Sequence, residues 1–410
     1  MVNELFNLEP NSCATGARFL FAFLFLCVAS GCEEVGKVVD NVKSEVSGPA
    51  PSAAAPEVTP APADSLPSME ISRPSSPQEL IARFQKLSST EITDNDLSQL
   101  AAAPEAAAAI TTIDLSGNTH VSRSGLEQLA ALKNLASLKM ASCSTLPADL
   151  AALGSAASLQ QLLLSGTKTD DSVVQRLSSL PKLNELDLSG TAITPAAGAM
   201  LGRSATLTNI NLSSTTSNDA TAGHMTALPL VKLDVSKTQI TNAGLQEILR
   251  IQTLESLNAS FTSVTGVGFK GFNRAGLKEL NVAATSFGLE GFDAIRGMKS
   301  LEILGVYQAG LVEHKAANVF RTMPKLRILN AGQNAVTDAG MEVFFKGLDS
   351  LEELHLGHNS LISDRGLASL VGVKTLKYLD VTGTNCSAAG ANALKAKLPE
   401  CKIATDDGTF

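Results

Sequence analysis

Residues Leu230–Leu249 read LVKLDVSKTQITNAGLQEIL, and the apolar period changes halfway along. Leu233 and Val235 alternate with Lys232, Asp234 and Ser236, the period-two pattern of a short strand with one face turned inward. After Ile240 the apolar residues Leu245, Ile248 and Leu249 fall at helical spacing. Thr241 stands just before them, where a side-chain oxygen can accept from a helix's unpaired first N–H groups. One short strand, one turn and one helix are therefore written in twenty residues.

The stretch recurs in phase. Units open at Ile110, Leu135, Leu159, Leu183, Leu207, Leu230, Leu254, Leu277, Leu301, Leu326, Leu351 and Leu376. Each follows L-x-x-L-x-L-x-x-T/N, and most continue x-I-T-x-x-G-L-x-x-L-x-x-L. The third apolar column runs from Leu115 and Met140 to Leu356 and Val381. A Ser, Thr, Asn or Asp precedes most of the helical halves: Thr93, Ser122, Asp170, Thr194, Asn218, Thr241, Thr265, Thr337, Ser363 and Ser387. A unit this small cannot bury its aliphatic residues alone, so the units must stack, pairing strands in parallel and sharing one core.

With these residues in place, the chain resembles the leucine-rich repeat family, in the Thr-bearing, I-T-x-x-G-L variety found in bacterial extracytoplasmic proteins. Leu398-Pro399-Glu400-Cys401-Lys402-Ile403 looks like that family's terminal half-repeat. The resemblance covers roughly residues 90–403. It implies an α/β solenoid, a horseshoe of about twelve repeats over residues 110–400, with a parallel sheet on the concave face and helices on the convex face. Residues 401–410 would be a closing half-repeat strand and tail. The family's ninth position is usually Asn. Here it is Asn only at Asn118, Asn334 and Asn359, Thr in seven units, and Cys143 or Ala309 in the other two. A Thr hydroxyl has fewer donors, so turn stability should vary along the array. Units two and nine lack the I-T-x-x-G-L half and should carry irregular helices. Ile92–Leu100 is half a repeat without its strand. With a helix over residues 78–87 it should cap the open end, making residues 78–109 an N-terminal cap.

Upstream of the repeats, Phe19–Ser30 reads FLFAFLFLCVAS after Arg18, a length suited to a signal peptide and too short to span a bilayer. It ends in Ala29-Ser30-Gly31-Cys32, which resembles the bacterial lipobox. That resemblance implies cleavage after residue 31, acylation of Cys32, and an extracytoplasmic protein lipid-anchored to a bacterial membrane; secretion without lipid is the alternative. Residues 32–77 read as a tether. Val35, Val38, Val39, Val42 and Val46 share one helical face, fitting a short amphipathic helix over 33–47. Half of the 16 prolines then fall between Pro49 and Pro77, a composition that cannot offset its own ordering entropy. Extended, this segment could reach roughly 90 Å at ~3.1 Å per residue. Of the cysteines, Cys143, Cys386 and Cys401 remain and read as buried small hydrophobes, with pairing of Cys386 and Cys401 left open.

The net charge is −8, with 44% apolar, 18% charged and 4% aromatic residues. Such a chain has no general attraction for phosphate backbones, and no nucleic acid is expected as a partner. There is no G-x-S-x-G, Walker loop, H-E-x-x-H or C-x-x-C, so neither catalysis nor a cofactor is expected.

Binding is then assigned to outward strand positions. Between the inward columns lies an Asp/Asn ladder that includes Asp187, Asn211, Asp234, Asn258, Asn281, Asn330 and Asp380. It reads either as a solvated row in which amides separate like charges, or as an acidic floor for a basic or polar ligand. In units nine to twelve Tyr307, Gln308, Gln333, His355, His358 and Tyr378 fall outward and form a candidate hot spot, since Tyr is an enriched interface anchor. His355 and His358 with Asp380 could suggest a metal site, but the spacing is unspecific and no metal is assigned. The expectation is a non-enzymatic module binding an unidentified protein or surface ligand on the concave face. The alternatives are a structural envelope protein without a discrete ligand, or a cytosolic adaptor or GTPase-activating type.

Overall fold

The computed structural model describes residues 76–271, 276–311 and 319–410, all within one compact unit, Ile71–Phe410. The expected signal, Cys32, the expected tether and helix over 33–47, and His314 lie outside the described residues.

Fourteen strands form one sheet in chain order. The first thirteen, from β1 (Thr112–Asp114) through β12 (Tyr378–Asp380) to β13 (Lys402–Thr405), are parallel, and β14 (Gly408–Thr409) turns back antiparallel to β13. The register is the repeat itself: Ile113 pairs with Leu138, Leu233 with Leu257, and Leu354 with Leu379. All residues of the three apolar columns are buried in one continuous core. Each fully buried Leu contributes roughly 1.5–3 kcal/mol, which a lone unit could not collect because half of each side chain would face water.

The helical halves differ more from unit to unit. Eight of the ten expected cap residues, Thr93, Ser122, Asp170, Asn218, Thr241, Thr337, Ser363 and Ser387, accept from a first-turn N–H. Thr194 accepts from Ala196 N–H, although its helix, Ala197–Leu201, starts later. Thr265 makes no such bond, and among the described residues its unit has the 3₁₀ turn Gly266–Phe269 in place of a helix. Unit two is irregular as expected, with a short helix Pro147–Leu150 and a 3₁₀ turn at Ala151–Ser155. In unit nine residues 312–318 lie outside the described residues, and those that follow hold a 3₁₀ turn at Phe320–Thr322.

The core is not purely aliphatic. Phe269, Phe287, Phe292, Phe320, Phe344 and Phe345 run through units seven to ten with mostly edge-to-face contacts, ring centroids 5.2–6.3 Å apart. The third column shrinks in the same units, to Ala259, Val282, Val306 and Ala331. Large rings thus fill the volume that small column residues release.

A second device joins neighbouring units on the helical side. The first helical residue of one unit grips the cap residue of the next. Asp219 Oδ1 accepts from Thr241 N–H (2.8 Å) and its Oδ2 from the Thr241 hydroxyl (2.6 Å). Asp338 does the same for Ser363, and Asp364 for Ser387. Asn242 supplies a neutral version, its Oδ1 accepting from Thr265 N–H and its Nδ2 donating to the Thr265 hydroxyl. Burial pushes the Asp338 carboxyl up, but the hydroxyl and N–H of Ser363 and the N–H of Gly366 outweigh it and hold it below the ordinary value. A depressed folded pKa contributes stability above the unfolded pKa and loses it as pH falls through the folded one. The stability advantage of the native protein over Asp338→Asn should therefore shrink below about pH 4, measured as the gap between their thermal midpoints. A gap constant down to pH 2.5 would contradict the charged grip.

The ends are closed differently. α1 (Pro77–Phe84), shorter than the expected 78–87, and α2 (Asp94–Ala102) form the N-terminal cap. Asn118 ties the cap to unit one, its Nδ2 donating to Ser89 O and Ile92 O. Because the cap half-repeat has no strand, a cavity of about 330 Å³ lies beside β1, lined by Phe84, Leu87, Ile92 and Ile110 among others. At the other end Phe410 pairs with Ile403 and packs against the core. The three described cysteines are free, so Cys386 and Cys401 do not pair, and Cys386 is half-buried rather than buried because it follows the last full strand near the end of the array. Among the described residues no helix is long and apolar enough to cross a membrane.

Candidate functional site

Each of the strands β1 to β12 is three residues long. Its middle residue enters the core, leaving the first and third on the open face of the sheet. The third positions carry the Asp/Asn ladder, and over units four to eight it is buried rather than a solvated row. Asp187, Asn211, Asp234, Asn258 and Asn281 are only 1–8% exposed. Strands spaced ~4.8 Å apart stack these short side chains on one another. Each turns its Oδ1 back to accept the N–H two residues on, at 2.8–3.1 Å. Asn258 Nδ2 also donates to Asp234 Oδ2 at 2.8 Å. Burial pushes the Asp234 carboxyl up, against bonds from Ser236 and Asn258. Asp187 and Asp234 therefore shape the turns and present little to a ligand.

The face changes beyond β9 (Ile303–Gly305). Gly305 has no side chain because Asn281 Oδ1 lies 2.6 Å from where its Cβ would stand. Tyr307 follows β9, lays its ring over Gly332 and donates its hydroxyl to Gln333 Oε1. Gln308, Gln333 and His358 occupy the left-handed turn after their strands, at φ 49°, 51° and 61°, and are exposed on the rim of the face. His358 packs its ring against Gly383 of the next unit.

His355 and Tyr378 form a separate group. Their rings lie 5.3 Å apart, and His355 Nδ1 stands 3.8 Å from Asp380 Oδ2. Burial would raise Asp380, but the His355 imidazole and bonds from the N–H and hydroxyl of Thr382 hold its carboxyl below the ordinary range. Tyr307 and Tyr378 are three strands apart and at opposite ends of them, on the order of 15–20 Å. The expected single patch is thus two: Tyr307 with Gln333, and Tyr378 with His355 and Asp380. The two histidines do not converge on one point, and among the described residues no group of three His, Cys, Asp or Glu is placed to hold a metal ion. His120 and His224 are exposed and remote from this group in sequence.

Sequence reasoning missed Glu353, the first residue of β11 (Glu353–His355). Its register neighbours are Ile328 on β10 (Ile328–Asn330) and Tyr378 on β12, with His355 two residues on along the same face. Glu353 is 5% exposed, and its Oε2 has no hydrogen-bond partner. Burial pushes this carboxyl up, opposed mainly by the charge of His355. An unsatisfied buried polar group of this kind costs roughly 1–3 kcal/mol. The signal was present: among the first strand positions of β9 to β12, Glu353 stands in a row with Ile303, Ile328 and Tyr378.

One row outward, the charges alternate along the strand entrances as Glu255, Lys278, Glu302, Arg327, Glu352 and Lys377. Lys278 pairs with Glu255 at 2.8 Å, and Glu352 takes both Arg327 (2.8 Å) and Lys377 (3.0 Å). These exposed pairs contribute little individually, but they commit the nearby cations to Glu352.

A model described as leucine-rich repeat matches residues 228–249 and 349–371. No curated protein matches the sequence significantly. Among solved structures, a chain of the yeast Rad7–Elc1 complex is similar at TM-score 0.54 and 15% identity, covering 77% of this chain and 86% of that one. A chain of the mouse RP105/MD-1 complex is similar at TM-score 0.51 and 18% identity, covering 78% of this chain and 53% of that one. The leucine-rich-repeat protein LIC12759 of Leptospira interrogans scores 0.48 at 18% identity, with 78% and 94% covered. Twelve in-phase units, a sheet ordered as the chain runs, and the likenesses at TM-scores 0.54 and 0.51 give this chain the leucine-rich-repeat solenoid fold.

Proposed function

We propose that the protein is a non-enzymatic interaction module that binds a protein partner on the open face of its sheet, held at the extracytoplasmic side of a bacterial membrane by a lipid on Cys32. One observation carries the binding assignment. Over units four to eight the third strand positions are closed by their own hydrogen-bonded ladder, whereas units nine to twelve leave Tyr307, His355, Tyr378 and Asp380 half-exposed. Extended sheet faces of stacked repeats serve as binding surfaces, and two of the similar chains come from protein complexes, Rad7 with Elc1 and RP105 with MD-1. The membrane assignment rests on the Ala29-Ser30-Gly31-Cys32 sequence alone.

Two experiments test the two halves. Palmitate labelling in a bacterial host should be present in the native protein and lost in Cys32→Ala; label retained in the variant would remove the anchor. Once a partner is captured on the immobilised protein, Tyr307→Ala and Tyr378→Ala should each weaken its binding by at least ~1 kcal/mol. Unchanged affinity in both would move the interface elsewhere. Finding no saturable partner would favour a structural role in the envelope.

A further inference from the structure

We propose that Glu353 is the base of a receptor for an arginine side chain on the open face, with Tyr378 as its wall and Asp380 as its second carboxylate. This rests on the reading of that face as the partner-binding surface and names the chemistry it selects.

Three observations converge. First, Glu353 is nearly fully buried, yet Oε2 has no hydrogen-bond partner, and its side chain lies on the open face because Leu354 takes the core position. A carboxylate so placed gains a partner only from the side of the face itself. Second, its neighbours on the face are Ile328 and Tyr378 in register and His355 two residues on, so rotation of Tyr378 is the movement that would uncover it. Third, the local charge favours a cation. Arg327 and Lys377 are bonded to Glu352 one row away; Asp380 keeps Oδ1 on Thr382 and Oδ2 facing His355 at 3.8 Å, while Glu353 Oε2 has no partner.

Arginine fits better than lysine. Glu353 and Asp380 are diagonal neighbours on adjacent parallel strands, roughly 8 Å apart from a strand spacing of ~4.8 Å and two residues at ~3.3 Å each. A planar guanidinium can donate to both at once while stacking on the Tyr378 ring, whereas a compact ammonium cannot span the two.

The test uses the purified full chain and two probes, N-acetyl-arginine amide and its neutral isostere N-acetyl-citrulline amide, titrated by calorimetry. The arginine amide should bind saturably and at least tenfold more tightly than the citrulline amide. Glu353→Gln should lose at least tenfold, and Tyr378→Leu severalfold. Glu185→Gln, which removes a carboxylate from the same strand position on β4 (Glu185–Asp187), should bind as the native protein does. Thermal midpoints within a few degrees of native show that the variants fold. Equal binding of the two amides, or native-like binding by folded Glu353→Gln, overturns the proposal. If the arginine amide fails to bind while a partner still requires Tyr307 or Tyr378, this inference falls and the broader reading stands. If the amide binds through Glu353 but partner binding ignores the face, the site stands and the broader reading falls.

Discussion

Asn359→Thr should destabilise the C-terminal third by about 4 kcal/mol, although Thr occupies the same position in seven other units. Asn359 is fully buried and makes four bonds. Its Oδ1 accepts from Asn334 N–H (2.8 Å) and Val336 N–H (3.0 Å), and its Nδ2 donates to Ala331 O (3.1 Å) and Leu356 O (2.7 Å). Three of these reach the preceding unit. A native Thr such as Thr238 donates only to the carbonyl of its own unit, Val235 O, and its loop closes instead through backbone, as Gln239 N–H does on Ser217 O. A Thr at 359 would therefore serve Leu356 O and strand the other three groups, at roughly 1–3 kcal/mol each before relaxation. In a stacked array the loss stays local. Hydrogen exchange should accelerate over β11 to β14 and remain unchanged near β1. Native-like exchange throughout would show that the Thr loop can form anywhere, and that the asparagine bonds add nothing.

Gly244→Ala is the second large effect, expected at about 3 kcal/mol. A Cβ there would stand 2.3 Å from Asp219 Oδ1 and 3.0 Å from Asp219 Cα. The same clash recurs at Gly125 with Asp94, Gly366 with Asp338 and Gly390 with Asp364. The glycine of I-T-x-x-G-L is therefore a vacancy for the preceding unit's carboxylate as that carboxylate grips the next cap residue. The two sites should couple. Asp219→Ala alone loses charge-assisted bonds of roughly 1.5–3 kcal/mol. The double variant should cost less than the sum, because the first substitution removes the atom the second would strike. Strict additivity in denaturant melts would separate the glycine from the grip.

Much of this was legible beforehand, and the reasons are particular. Leu233, Leu257 and Leu280 had to be inward because the strand period is two and their neighbours are polar. Thr241 and Ser363 had to be caps because they precede the helical period. The acidic first-turn residues Asp219 and Asp338 were visible as residues but not as grips, since their partners lie 22 and 25 residues away and geometry alone brings them together. The aromatic spine escaped notice because each Phe looks like any apolar residue of its helix. Only stacking sets Phe269 against Phe287 and Phe292 against Phe320.

The open face shows the same division. By its sequence alone the chain determined the number of units, their register and which side chains make the core, because every one of those choices is local and repeats with the period. Which outward residues reach solvent was decided only by the tertiary structure. Asp187 and Asp234 alternate outward like His355 and Tyr378, yet the first two are closed over by neighbours one strand away, while Glu353 is buried beneath side chains from units on either side. Exposure on a sheet face depends on the sizes of adjacent-strand neighbours some 25 residues distant, and those neighbours meet only after the units have stacked.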